Sequence, residues 1–230
     1  TVEKKLEQQV VQSERLAAMG QMIGGFAHEL NNPLTSILGV SELLQEGETT
    51  ETSRKRLTML HQQARRAAEI VQNLMYFSRP PAPGKSRVDI GELIDRTLHL
   101  QAYSLRKANI TVDFTRDQKL PPVVGEPRQL MQVFLNLILN AEQAMRENKE
   151  RGSLRIRAGQ HEQFVWATFQ DDGPGISPEI LPHIFDPFYT TKRPGRGTGL
   201  GLSICKAVLK EHGGNVEANS TPGGALFTVM

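Results

Sequence analysis

A single cysteine, Cys205, stands in the 230-residue sequence. One thiol excludes an intramolecular disulfide and any cysteine-rich metal cluster, and a reducing, cytoplasmic setting fits it best. Also missing is any run approaching the roughly twenty apolar residues that cross a bilayer, and no charged-then-apolar leader is visible. Charge of one sign is lacking too. The 27 basic and 25 acidic residues leave a formal net charge of +2, so bulk electrostatics asks for neither nucleic acid nor an anionic membrane. His61, His99, His161, His183 and His212 lack ligand spacing with acids or cysteines and read as structural or surface residues. The chain begins at Thr1 without a Met, and we expect a fragment whose input region and any membrane anchor lie upstream. Chemistry must be sought in local clusters.

The first cluster is Gly25-Phe26-Ala27-His28-Glu29-Leu30-Asn31-Asn32-Pro33-Leu34. In a helix, Asn32 lies one turn after His28 on the same face, with Glu29 beside them. Pro33 lacks an N–H and its ring presses on the Glu29 carbonyl, so the backbone should bend there. A residue that costs about 3 kcal/mol in a helix interior, placed next to an ionisable cluster, invites a functional reading. A solvated surface histidine is the plain alternative.

Around this cluster Val2, Leu6, Gln9, Ser13, Leu16, Gly20, Ile23, Ala27 and Leu30 step by threes and fours, a heptad seam that continues to a break at Gln45–Glu48. His28 falls at the flank of the seam, where it stays accessible. A second helix is expected from Thr52 to Ser78 on Leu57, Leu60, Ala64, Ala67, Val71 and Leu74. One hairpin buries only one stripe, whereas two make a four-helix bundle, so a homodimer is predicted. Arg54, Lys55, Arg56, Arg65 and Arg66 read as the solvated face of this helix, or as a docking surface for an acidic partner. The proline-rich Arg79–Lys85 stretch breaks helix and sheet alike. The resulting division is a helical hairpin over residues 1–79, a linker over 80–87 and a second domain over 88–230.

In that second domain Ile90 to about Leu105 is an amphipathic helix and Ile110–Thr115 a strand. Pro127 can open a strong helix whose buried face is Leu130, Val133, Phe134, Leu137, Ala141 and Ala144. Leu154, Ile156 and Ala158 alternate as a strand, and Phe164–Gln170 pairs with it through a turn near His161-Glu162. Trp166 is expected in the core of this hairpin, and Cys205 in the core of the last helix. The pattern is α+β, helices over a mixed sheet.

Four pieces of this domain belong together. Asn136 and Asn140 sit one turn apart on the strong helix and share a direction, either as ligand groups or as caps on neighbouring loops. Asp171-Asp172-Gly173-Pro174-Gly175-Ile176 combines glycines that admit a flat ligand with a carboxylate that can accept from an exocyclic amine. Adenine has that amine where guanine has a carbonyl, so ATP rather than GTP is the natural ligand. An ordinary acidic turn is the alternative. Phe185-Asp186-Pro187-Phe188-Tyr189-Thr190-Thr191-Lys192 leads into Arg193-Pro194-Gly195-Arg196, read as a lid whose cations approach phosphates. Finally Gly197-Thr198-Gly199-Leu200-Gly201-Leu202 opens an amphipathic helix through Val208, where exposed N–H groups form an anion cradle. It is not the dinucleotide fingerprint, since no strand directly precedes it.

In this order the segments closely resemble the sensor histidine kinases of two-component signalling, over nearly the whole chain. The stretch with His28, Glu29, Asn32 and Pro33 looks like the family's H box, NLILNA like its N box, DDGPGI like G1, FDPF like F and GTGLGL like G2. The resemblance implies a dimeric four-helix bundle followed by an α/β sandwich ATP-binding domain of the Bergerat (GHKL) type. It implies His28 as phosphoacceptor, Glu29 as the acid assisting proton removal, and Asn140 as Mg²⁺ ligand supported by Asn136. Asp171 would bind the adenine amine, with Gly173, Gly175, Phe188, Thr191, Lys192, Gly197, Thr198, Gly199, Leu200 and Gly201 completing the nucleotide site. Glu29 and Asn32 also match the family's phosphatase pattern, although Asn32 serves the helix bend equally well. Hydrolytic relatives of this fold carry a glutamate where Asn136 stands, which makes water a poor acceptor here. The implied partner is a separate response regulator receiver domain, since none follows Met230. Two other readings stay open at this stage, a non-catalytic ATP-binding dimerisation module and a simple ATPase.

Overall fold

The computed structural model describes residues 30, 34–41, 51–60, 63, 64, 67, 85–148, 151–192, 199–221 and 223–230. Within the first compact unit, residues 34–41 and 51–60 are helical. Leu34, Leu38, Leu57 and Met59 are exposed on these helices, and Val40 is buried. Lys55 pairs with Glu51 one turn before it, at 3.5 Å. The heptad seam upstream, the bend at Pro33 and most of the expected second helix lie outside the described residues.

The second compact unit comprises Ala82–Thr190 and Gly199–Met230. It contains α1 (Ile90–Lys107), α2 (Pro127–Asn148) and α3 (Gly201–Glu211). Its strands are β1 (Ser86–Val88), β2 (Ile110–Arg116), β3 (Val123–Gly125), β4 (Gly152–His161), β5 (Phe164–Asp171), β6 (Val216–Thr221) and β7 (Gly224–Val229). Five strands form one sheet in the order β2-β4-β5-β7-β6, with β2 and β4 parallel and the other pairs antiparallel. The parallel pair is joined by a crossover through α2, as a parallel connection requires. β1 and β3 make a small antiparallel ribbon of their own. Ser86 and Arg87, expected in the linker, belong to this ribbon, because Arg87 pairs with Val124.

Local chemistry fixes the helix starts. Asp89 caps α1 by accepting the Glu92 N–H at 2.9 Å, and Arg116 at the end of β2 reaches the same carboxylate at 3.6 Å. The Glu126 carboxylate accepts from the Arg128 and Gln129 N–H groups at 3.0 and 2.8 Å, with Pro127 in the first helical position, where no N–H is missed. His212 ties this corner to α3: its Nε2 accepts the Glu126 N–H at 3.0 Å while Nδ1 faces the Val208 carbonyl at 2.8 Å.

α2 packs against both α1 and α3. The sheet turns Leu154, Ile156 and Ala158 of β4, Ala167, Phe169 and Asp171 of β5, and Ala225, Phe227 and Val229 of β7 inward. Phe134 on α2 stacks on Phe169 with ring centroids 5.7 Å apart, joining the two layers. The outward face carries charged pairs: Arg155 and Arg157 flank Asp113 at 3.8 and 3.3 Å. Trp166 departs from its expected core position. Because Ala167, Phe169 and Asp171 point inward, strand alternation sends Trp166 outward, where its ring lies over Gly159 of β4. Cys205 is fully buried, as expected for a core residue.

Candidate functional site

Asp171 is the last residue of β5, and the inward phase of that strand places its carboxylate in the interior with only 4% exposure. Burial pushes its pKa above the ordinary carboxylate value, and the neighbouring Asp172 adds to the rise against backbone hydrogen bonds that oppose it. The Ala225 and Gly173 N–H groups both donate to Oδ1, at 3.2 and 2.9 Å. No side chain among the described residues donates to this carboxylate. A buried carboxylate oriented through one oxygen leaves Oδ2 to meet a donor from a ligand, since an unpaired buried polar group is costly. The donor set fits an exocyclic amine.

The chain after Asp171 hugs its neighbours. Asp172 accepts the Ser153 N–H through Oδ1 at 2.9 Å, holding the turn to β4. Gly173 lies against Ala144 of α2, and a Cβ there would stand 3.3 Å from the alanine methyl. Gly175 has φ of 76°, and a Cβ would stand 2.8 Å from Ser220 Oγ. Glycine is required at that bend on both counts.

On α2, Asn136 donates from Nδ2 to the Gly201 carbonyl at 3.1 Å. It therefore fastens α2 to the start of α3, and its side chain also reaches the Cys205 thiol. Burial pushes that thiol up to about 12, far from thiolate chemistry at neutral pH. The Asn140 side chain, one turn on and half-buried, makes no hydrogen bond among the described residues. Its amide oxygen fits the modest demand of a magnesium ion that keeps most of its water and phosphate ligands.

α3 begins at Gly201 behind a fully buried Leu200 that supplies no side-chain cap. Its first-turn N–H groups are the ones an anion takes up. Gly199, with φ of 66°, abuts the Phe188 backbone so closely that any Cβ would overlap its carbonyl group. Phe188 itself holds a left-handed φ of 65°, a conformation that costs a non-glycine residue about 1–2 kcal/mol. Just before it, His183 Nδ1 meets Asp186 Oδ2 at 3.0 Å.

Of the expected site residues, Asn136, Asn140, Asp171, Gly173, Gly175, Phe188, Gly199, Leu200 and Gly201 belong to the second compact unit. Thr191 and Lys192 lie outside it. Gly197 and Thr198 fall outside the described residues, as do His28, Glu29 and Asn32. Sequence reading missed Ser220 and Ala225, which hold the acidic turn and the carboxylate from the β6–β7 hairpin. The Gly223-Gly224 pair before an alternating run was the available signal for that hairpin.

The α/β sandwich thus carries a buried acid at a strand end, a glycine turn after it and a helix start without a side-chain cap. Residues 125–230 match the family model described as histidine kinase-, DNA gyrase B-, and HSP90-like ATPase, and residues 18–83 match the His Kinase A (phospho-acceptor) domain. The chain is 33% identical over 232 residues to the signal transduction histidine-protein kinase AtoS of Escherichia coli K12, covering 100% of this chain and 37% of AtoS. To the sensor histidine kinase ZraS of the same strain it is 32% identical over 226 residues, 97% of this chain and 48% of ZraS. It thus spans less than half the length of these relatives. The solved catalytic domain of the histidine kinase ThkA matches 64% of this chain and 93% of its own, with TM-score 0.58 and 31% identity. ThkA in complex with the response regulator protein TrrA matches 100% of this chain and 66% of its own, with TM-score 0.80 and 27% identity. The chain belongs to the sensor histidine kinases of two-component systems.

Proposed function

We propose that this chain is the kinase core of a two-component sensor: it binds ATP, phosphorylates His28 and passes the phosphoryl group to an aspartate of a separate response regulator. The observation that carries the reading is Asp171, buried and oriented by two backbone amides on one oxygen, in a chain whose other section matches a phosphoacceptor domain. Asp171 accepts the adenine amine, Gly173 and Gly175 let the base lie close, and the α3 start with Gly199 and Gly201 receives phosphates. The family resemblance would add Phe188, Thr191, Lys192, Gly197, Thr198 and Leu200 to the residues that contact the nucleotide. Asn140 would hold Mg²⁺, which neutralises phosphate charge and aids in-line transfer.

Neutral imidazole, with an ordinary pKa of about 6.5, is mostly nucleophilic at neutral pH. In the proposed step a His28 ring nitrogen attacks the γ-phosphorus, the bond to the ADP oxygen breaks, and Glu29 takes the ring proton. The phosphoryl group then leaves the imidazole for the regulator's carboxylate. Asn32, three residues after Glu29 in the sequence, would orient a water against the regulator's aspartyl phosphate in the reverse duty. The domains would be residues 1–79, a linker and the ATP-binding remainder, dimeric through the helical hairpin. Among the described residues no helix is long and apolar enough to cross a membrane; a cytoplasmic setting is proposed on the single cysteine, which suits a reducing compartment.

Simple ATP hydrolysis is disfavoured by Asn136. An amide is no base, and this one already donates to Gly201. Following the γ-phosphate label through one turnover tests the assignment. Label retained on protein is expected; label released as free phosphate means an ATPase, and intact bound ATP means a non-catalytic module.

A further inference from the structure

The β6–β7 hairpin lies outside every segment assigned to the nucleotide so far, yet it holds the acidic turn at two places. Its Ala225 N–H orients the Asp171 carboxylate at 3.2 Å. Its Ser220 Oγ accepts the Ile176 N–H at 2.8 Å, and Gly175 lies directly against the same hydroxyl. Thr221 closes the hairpin by donating from Oγ1 to the Gly224 carbonyl at 3.1 Å. The two ends of the Asp171–Ile176 segment are therefore fixed by one element, the carboxylate at the first end and the glycine bend at the second. Ser220 itself is exposed on an edge strand and contributes no apolar burial to the core.

We propose that Ser220 is a positioning residue for the base half of the nucleotide site: its hydroxyl holds Gly175 and Ile176 where the adenine ring must lie. This rests on the ATP reading of Asp171. A ring that slides between the acid and the glycine bend needs both walls in register, and preorganisation of this kind shows in affinity. The chemical step takes place at the far end of the ligand, so the turnover rate of bound ATP should not feel the loss. Ser220 differs in this from Asn136 and the α3 start, which stand at the phosphate half.

The test compares wild type, Ser220→Ala and Ser220→Thr. ATP binding is measured by calorimetry with Mg²⁺, and KM and kcat by formation of labelled protein. One net hydrogen bond predicts KM and Kd for ATP raised about three- to tenfold in Ser220→Ala, with kcat at saturating ATP and nucleotide-free thermal unfolding close to wild type. Ser220→Thr, which keeps the hydroxyl on an exposed strand position, should restore wild-type affinity. Unchanged KM in Ser220→Ala, a loss confined to kcat, or no rescue by threonine would overturn the assignment. Absence of ATP binding by the wild type would remove the ATP reading and this inference together, whereas wild-type binding with an indifferent Ser220→Ala would remove only the role of Ser220.

Discussion

Asp171 has two conflicting demands placed on it. Binding an amine needs the carboxylate charged and accessible through one oxygen, while burial favours the neutral acid and raises its pKa. A carboxyl whose folded pKa lies above its unfolded value contributes stability that is full below the unfolded pKa and is lost as pH rises through the folded one. Ionising Asp171 in the nucleotide-free protein therefore costs stability. Asp171→Asn keeps an oxygen for the Gly173 and Ala225 N–H groups and removes that charge. Its thermal stability without ligand should equal or exceed wild type at pH 7, with the advantage shrinking as pH falls toward the ordinary carboxylate range. ATP binding should meanwhile drop at least tenfold, because the new amide presents donors to a donor. Calorimetric scans across pH, paired with ATP titrations, read both effects. At this scale the acid and its glycines were legible in the sequence, since their types and spacing state their chemistry. Ser220 and Ala225 were not, because a serine and an alanine become meaningful only when a hairpin brings them to the turn from 44 and 54 residues away.

The elements that carry these residues are held by α2. Phe134 is 1% exposed and stacks on Phe169, so it couples the helix bearing Asn136 and Asn140 to the strand ending at Asp171. Phe134→Ala should cost about 3–5 kcal/mol. The single Trp of the chain, Trp166 on β5, reports unfolding of this unit in urea. A loss below about 1 kcal/mol would mean the two layers are held elsewhere. Periodicity revealed α1, α2 and the β4–β5 hairpin because each alternates or repeats cleanly. It failed for β1, three residues drawn into a ribbon by β3 beside the proline-rich stretch. It also misplaced Trp166, because large aromatic area suggests a core, while the strand's phase was set by Ala167, Phe169 and Asp171.

At the level of the whole molecule, the helices at 34–41 and 51–60 leave Leu38 and Leu57 63% and 59% exposed. In the proposed dimer these exposed apolar side chains pack against the same helices of a second copy. Light scattering should give a mass twice the 25.6 kDa of the chain, and the double variant Leu38→Glu/Leu57→Glu should give the single mass; a monomeric wild type would end the four-helix bundle account. The proposed acceptor, His28, stands out in the sequence through its company of Glu29, Asn32 and Pro33, whereas the path of the phosphoryl group to it is a property of the assembled protein. The most direct test of the central claim is therefore chemical: incubate wild type and His28→Ala with γ-labelled ATP and Mg²⁺, and score acid-labile, base-stable label on protein. The account predicts such label on the wild type and none on the variant, with ATP binding intact in both. Equal label on both proteins would contradict it.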